Sequence, residues 1–209
     1  MITLALEFSS ARRSAALARG GEILAEAVET INARGTNAFA LIEKILADTN
    51  LTRDQIGTIA VGLGPGSYTG IRAAIAVAQG WQLARGVHLL GVSSVHSLAA
   101  RAQSEKVYGR VHLIVDAQRG EFYLSTWEIS VAARQEVLPL KIVSAPEIAA
   151  LKLAGDACLG PEQSPAWFPT AATVAGLAAG RTDYLPGAQL EPIYLRETSF
   201  IKAPSPRSI

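Results

Sequence analysis

Apolar and polar positions along this chain switch between a period of two and a period near 3.6, and the switches mark its elements. The run "ITLALE" at 2–7 is mostly apolar until it ends on an acid, Glu7. "RSAALAR" at 13–19 and "EILAEAVET" at 22–30 follow, joined at Gly20-Gly21, a pair suited to the tight turn of a hairpin. These three runs predict a meander of strands. From Asn37 to Asp48 the spacing changes. Ala38, Leu41, Ile42 and Ile45 recur at helical intervals, with Phe39 and Leu46 widening the stripe. "GTIAVGLG" at 57–64 predicts a fourth strand, and the segment from about Tyr68 to Arg85 a long helix. "VHLLGV" at 87–92 predicts a fifth strand, ahead of a helix capped by Ser93 or Ser94.

The pattern then starts again. "RVHLIVD" at 110–116 is another apolar strand ending on an acid, Asp116. "EFYLSTWEI" at 121–129 and "EVLPLKIV" at 136–143 take the places of second and third strands. "SAPEIAAL" supplies a serine cap and a proline in the first turn of a short helix. "ACLG" and a helix near "TAATVAGLAAG" at 170–180 complete a shorter second unit. Glu7 and Asp116 thus close the first strands of two copies of one unit, three strands followed by helices. The expected organisation is α/β, with an N-terminal unit at 1–103, a smaller C-terminal unit at 104–200, and a tail at 201–209 whose proline and serine content predicts disorder.

Composition narrows the function classes. Of 209 residues, 49% are hydrophobic and 18% charged, which suits a packed core and argues against a disordered chain. The net charge of +1 comes without a Lys- or Arg-rich run, whereas a chain that grips nucleic acid by its own field carries a basic stripe. Any contact with RNA is therefore expected to be made mainly through a partner. The lone Cys158 rules out an intramolecular disulfide and fits a reducing, cytoplasmic setting. "MITLALEFSS" has no basic leader, so no signal peptide is expected, and no apolar run nears the roughly 20 residues that span a bilayer.

The richest local signal is "GLGPGSYTGIR" at 62–72. A Walker loop fails for want of a lysine, the dinucleotide fingerprint for want of its third glycine, and Gly-x-Ser-x-Gly because Tyr68-Thr69 separates Ser67 from Gly70. Two readings remain. The strand–loop–helix junction either aims free N–H groups at an anion or is a tight turn capped by Ser67 or Thr69. The helix that follows sets Ala73, Ala76, Gly80 and Ala84 on one flank and Ile71, Ile75, Ala78 and Leu83 on others, leaving Arg72, Gln79 and Gln82 as a narrow polar stripe. One surface belongs on the chain's own sheet. The other needs a second cover, either the C-terminal unit or another protein.

Other chemistry is thinly supported. His88, His96 and His112 fall on different elements without metal-ligand spacing, so no metal site is expected. Glu7 and Asp116 either flank an interdomain cleft, holding Mg²⁺ or water near a phosphate, or each caps a nearby turn or pairs with Arg12 or Arg119. Cys158 reads as a small core residue. Trp81, Trp127 and Trp167 are too scattered for a base-stacking platform.

The stretch Gly64-Pro65-Gly66-Ser67-Tyr68-Thr69-Gly70-Ile71-Arg72 is similar to the signature of the bacterial TsaB (YeaZ) family. "GVSSVHSLA" at 91–99, "DAQRGEFY" at 116–123, "GDA" at 155–157 and "PIYLR" at 192–196 extend the likeness. The resemblance implies an actin-like ATPase (RNase H-like) fold of two duplicated subdomains. It also implies a role in forming N6-threonylcarbamoyladenosine at adenosine 37 of tRNAs that read codons starting with A. It implies a subunit with no catalytic residues and no cofactor, pairing with a TsaD-like ligase through the first two helices of its N-terminal unit. A TsaE-like ATPase would join a larger complex, and the chain alone would form a homodimer. On that reading the partner interface comprises Phe39, Ile42, Leu46, Tyr68, Arg72, Ala73, Ala76, Val77 and Gly80, beside the motif loop at Gly64, Pro65, Gly66, Ser67, Thr69 and Gly70. The chain departs from the family at Glu7, usually Asp, and at Thr36-Asn37, often His-Ser. The alternatives are a small actin-like kinase or ATPase with an interdomain nucleotide site and, more weakly, a metallopeptidase.

Overall fold

The first three apolar runs form β1 (Ile2–Glu7), β2 (Arg12–Arg19) and β3 (Glu22–Thr30), antiparallel, with Leu4 opposite Leu17 and Leu17 opposite Ala25. In this computed structural model, which describes residues 1–30 and 37–195, β4 (Ile56–Gly62) adds to β1 in parallel and β5 (His88–Val92) adds to β4. The sheet order is β3-β2-β1-β4-β5. β1, β2 and β4 are apolar nearly throughout because helices cover both faces of the sheet. On one face lie α1 (Ala38–Thr49) and α2 (Tyr68–Arg85). Asn37 caps α1 by accepting from the Ala40 amide at 3.2 Å, and Gly86, at φ +67°, ends α2 in the left-handed conformation that glycine adopts without strain.

The second unit repeats this design. β6 (Gly109–Asp116), β7 (Glu121–Ile129) and β8 (Arg134–Ser144) form the meander, and β9 (Ala157–Leu159) joins β6 in parallel after α4 (Ala145–Leu153). The order β8-β7-β6-β9 matches the first four strands of the larger sheet. Two mixed sheets of common topology, each starting with a meander, bear out the expected actin-like α/β fold. Ser144 and Glu147 form a capping box at the start of α4.

The last helix of each unit packs on the sheet of the other. α3 (Ser94–Ser104) comes after the first sheet but buries Val95, Leu98, Ala99 and Ala102 against Val111, Leu113 and Trp127 of the second. α5 (Ala171–Ala178), read from sequence as completing the second unit, instead packs Ala171, Val174, Ala175 and Ala178 on Ala5, Ala16, Ala18 and Ala60 of the first. The alanine face lets a helix approach closely. Its N-terminus is pinned there by the Ala171 amide donating to Ser14 Oγ at 2.8 Å and the Ala172 amide to Glu26 Oε1 at 3.0 Å.

Beyond α5 the chain returns as a strap along β5, β4 and α2. The Leu185 amide donates to the Leu89 carbonyl at 2.9 Å, Gln79 and Gln82 bond the backbone of Gly187, and the Ile193 amide donates to the Leu63 carbonyl at 2.8 Å. Among the described residues no helix is long and apolar enough to cross a membrane. The tail at 201–209 lies outside the described residues.

Candidate partner interface and interdomain cleft

Four amides of the motif stretch donate within the chain itself. The Gly64 amide donates to Ser94 Oγ (3.1 Å), the Ser67 amide to the Ser9 carbonyl (2.7 Å), the Gly70 amide to Ser67 Oγ (3.3 Å) and the Ile71 amide to the Ser67 carbonyl (3.0 Å). Ser67 is therefore the helix cap, and Thr69 lies exposed in the first turn. The glycines flanking Pro65 answer to space. A Cβ on Gly66, at φ +146°, would stand 2.0 Å from the Ser9 carbonyl oxygen, and one on Gly70 would stand 2.0 Å from that of Phe8. Of the two readings of this loop, the geometry fits the capped turn, closed down on the end of β1.

That turn aims α2 so that Ile71, Ala74, Ile75 and Ala78 sink into the first core. The opposite side stays open: Arg72, Ala76, Gly80, Leu83 and Ala84 are exposed, Tyr68 is 54% exposed, and Ala73 and Val77 are half-buried. Of the C-terminal unit, one of the two covers expected from sequence, only the strap beyond α5 reaches α2 among the described residues. The strap takes the flank at Gln79 and Gln82, so those polar residues face backbone. A groove of about 560 Å³ runs between α1 and α2, walled by Phe39, Ala76, Val77, Gly80, Trp81 and Ala84. Its rim is polar, with Arg53 paired to Glu43 at 2.5 Å and Arg85 to Asp54.

Two expected interface residues require correction. Ile42 is 0% and Leu46 5% exposed, both in the core beneath α1, so neither reaches the surface that a partner could touch. They lie on the stripe that faces the sheet. Phe39, at the edge of that stripe and 57% exposed, carries the outward apolar surface of α1. Sequence reasoning passed over Trp81 as a scattered aromatic, although it lies one turn after Val77 on the same wall.

The two strand-end acids meet different surroundings. Glu7 is 0% exposed; its Oε1 accepts from the Ser9 amide and its Oε2 from Ser94 Oγ, each at 2.8 Å. Burial pushes its pKa up, only partly offset by those donors. Gly62 makes room for the side chain, since a Cβ there would stand 2.1 Å from Oε2. Asp116 is exposed and accepts from the Gln118 amide at 2.7 Å and its side chain at 2.8 Å. Both carboxylates thus cap turns, and neither forms an ion pair with Arg12 or Arg119 among the described residues. Between the units lies a cleft of about 180 Å³, lined by Ser9, Ser67, Asp116 and Gln118 and by the apolar Leu98 and Trp167. Glu7 is not among its walls.

The histidines stay apart. His88 stacks on Tyr184, His96 meets Trp127 edge-on, and His112 bonds Thr126 and Asp156. Among the described residues no three His, Cys, Asp or Glu side chains gather as a metal would need.

Two mixed sheets of common topology define a class, that of actin-like α/β proteins, and here α2 leaves a helical face exposed. The family model for TsaD, tRNA N6-adenosine threonylcarbamoyltransferase, matches residues 32–159, more than half of the chain. The tRNA threonylcarbamoyladenosine biosynthesis protein TsaB of Bacillus subtilis is 27% identical over 66% of this chain and 60% of its own length. That of Escherichia coli is 29% identical over 61% and 55%. The chain thus spans less than two thirds of the length of these two relatives. YeaZ from Pseudomonas aeruginosa, a solved structure, superposes with a TM-score of 0.75 at 25% identity, covering 93% of this chain and 99% of that one. The chain belongs to the TsaB (YeaZ) family.

Proposed function

We propose that this protein is a cytoplasmic accessory subunit in the biosynthesis of N6-threonylcarbamoyladenosine at position 37 of tRNA. It docks a TsaD-like ligase through the open side of α1 and α2 and performs no bond chemistry itself. The observation that carries this reading is the outer face of α2, where Ala76, Gly80 and Ala84 offer small side chains beside a groove floored by Val77 and Trp81. Small residues let a second helix come close, and Phe39 and Trp81 supply the aromatic anchors that dominate such contacts. The free energy of docking holds the ligase in its active arrangement. With a net charge of +1, the chain meets tRNA through its partner. A TsaE-like ATPase belongs to the larger assembly, and the same face pairs with itself when the ligase is absent.

Gly80 gives this reading a clean test, because a Cβ built there meets nothing within 4 Å of its own chain. Gly80→Arg and Ala76→Glu should leave the thermal melt unchanged or slightly raised while abolishing co-purification with the ligase homologue of the same organism. Retention of both variants on the ligase would remove the interface. Threonylcarbamoylation of tRNA by the ligase, with and without this chain, tests the activating role. ATP turnover by the chain alone, lost in Asp116→Ala, would favour the kinase-like alternative.

A further inference from the structure

The strap that runs back along α2 ends on the open face itself. From Gln82 to Tyr68, about 21 Å of helix at 1.5 Å per residue, it is fastened at Gly187 and again at Ile193, and then lays Tyr194 on Tyr68 with ring centroids 5.2 Å apart. Arg72, one turn further along α2, places its guanidinium 5.2 Å from the Tyr68 ring and donates from Nη1 to the Tyr68 hydroxyl at 3.0 Å. One of the five guanidinium N–H groups is spent in that bond. The Tyr68 hydroxyl accepts from Arg72. Burial and the neighbouring Tyr68 push the pKa of the Tyr194 hydroxyl up, which keeps its proton in place for donation.

Charge pairing separates Arg72 from its neighbours. Among the described residues of α1, α2 and the short turn ahead of β4, Lys44 is paired with Asp48, Arg53 with Glu43 and Arg85 with Asp54. Among the described residues Arg72 faces a ring and a hydroxyl and pairs with no carboxylate. The far end of the groove is therefore electrostatically satisfied, while among the described residues the end at Tyr68 carries a cation without a counter-charge, beside hydroxyl groups.

We propose that Tyr68, Arg72 and the strap residue Tyr194 form a built receptor for a carboxylate, an Asp or Glu side chain of the docked ligase, so that the C-terminal strap is part of the interface together with α1 and α2. This rests on the docking face proposed above. Arg72 supplies charge and a planar fork suited to two carboxylate oxygens, Tyr194 holds the Tyr68 ring in place, and the apolar groove supplies the bulk of the burial. A single cation on a chain of net charge +1 is a poor match for the repeated phosphates of RNA.

The test is the dissociation constant of the intact chain with the ligase homologue, at low and at high salt. Arg72→Gln should weaken binding about tenfold and flatten its salt dependence, and Arg72→Glu should weaken it about a hundredfold, as for a close charge pair lost or reversed at an interface. Tyr194→Ala should cost about fivefold, and combined with Arg72→Gln less than the product of the two, because each acts through the same site. Tyr194→Phe keeps the stacked ring, guards against a loosened strap, and should cost about twofold for its lost hydroxyl. The receptor is overturned if Arg72→Gln, Arg72→Glu and Tyr194→Ala all bind within twofold of the parent while Ala76→Glu does not bind. Undiminished binding by Ala76→Glu would overturn the docking face, and the receptor with it. Loss of tRNA retention by the isolated chain in Arg72→Gln, with ligase affinity intact, would assign the cluster to phosphate and likewise overturn it.

Discussion

Glu7 and Asp116 end the first strands of two copies of one unit, yet one carboxylate is sealed in and the other stands at a cleft. The backbone around them is equivalent: each ends a strand flanked by an antiparallel neighbour and a parallel one. The difference lies in the loop that leaves the parallel strand. After β4, the loop at Gly64–Gly70 folds down on Phe8 and Ser9, and Ser94 at the start of α3 reaches Glu7 from the other side. After β9 the chain turns at Gly160, whose carbonyl accepts from the Trp167 amide, and among the described residues nothing comparable closes over Asp116. The glycine-rich signature therefore serves as a lid on the first-strand turn.

Breaking the lid should have the largest effect. Gly66→Ala forces a Cβ against the Ser9 carbonyl in a conformation that L residues avoid, and should cost about 3–5 kcal/mol in urea unfolding. A loss below about 1 kcal/mol would mean that the loop yields freely and is no lid. Glu7→Ala comes next, at about 2–4 kcal/mol, since it empties a buried site and orphans the Ser9 amide and Ser94 hydroxyl.

Glu7→Gln sharpens the comparison by removing the charge and keeping the shape. Because the folded pKa is raised, the folded state holds this proton more tightly than the unfolded chain does. Its stabilising contribution is complete below the ordinary carboxylate range and is lost as pH rises through the raised value. The melting temperature of Glu7→Gln should therefore fall less than that of the parent between acidic and neutral pH. Parallel curves for the two proteins would show that Glu7 titrates like a solvated acid. The smallest effect is expected at Asp116, where Asp116→Ala removes an exposed turn cap and should change stability by about 0.5 kcal/mol or less.

Much of the fold was legible because periodicity and capping are local. The meander, the restart at 110 and α2 over Tyr68–Arg85 all come from apolar spacing with cap residues at the ends. The candidate site was half legible. The excess apolar surface of α2 could be read from composition around the helix, and Ala76 and Gly80 do stand in the open. Ile42 and Leu46 were misplaced because a stripe widened to include Phe39 does not reveal which edge faces the sheet.

By itself, the sequence determined which segments are strands and helices, that one unit occurs twice, and that α2 is too apolar to be covered on one side alone. Each of these is set by residue types within a few turns of one another. Only the tertiary structure decided that α3 and α5 trade sheets, that Ser94 closes over Glu7 from 87 positions away, and that the strap brings Tyr194 to Tyr68. Those contacts join segments far apart in the chain. Shape complementarity chooses them, through an alanine face that admits α5, a glycine that leaves space for a carboxylate and glutamines that meet a passing backbone, and no local pattern carries that information.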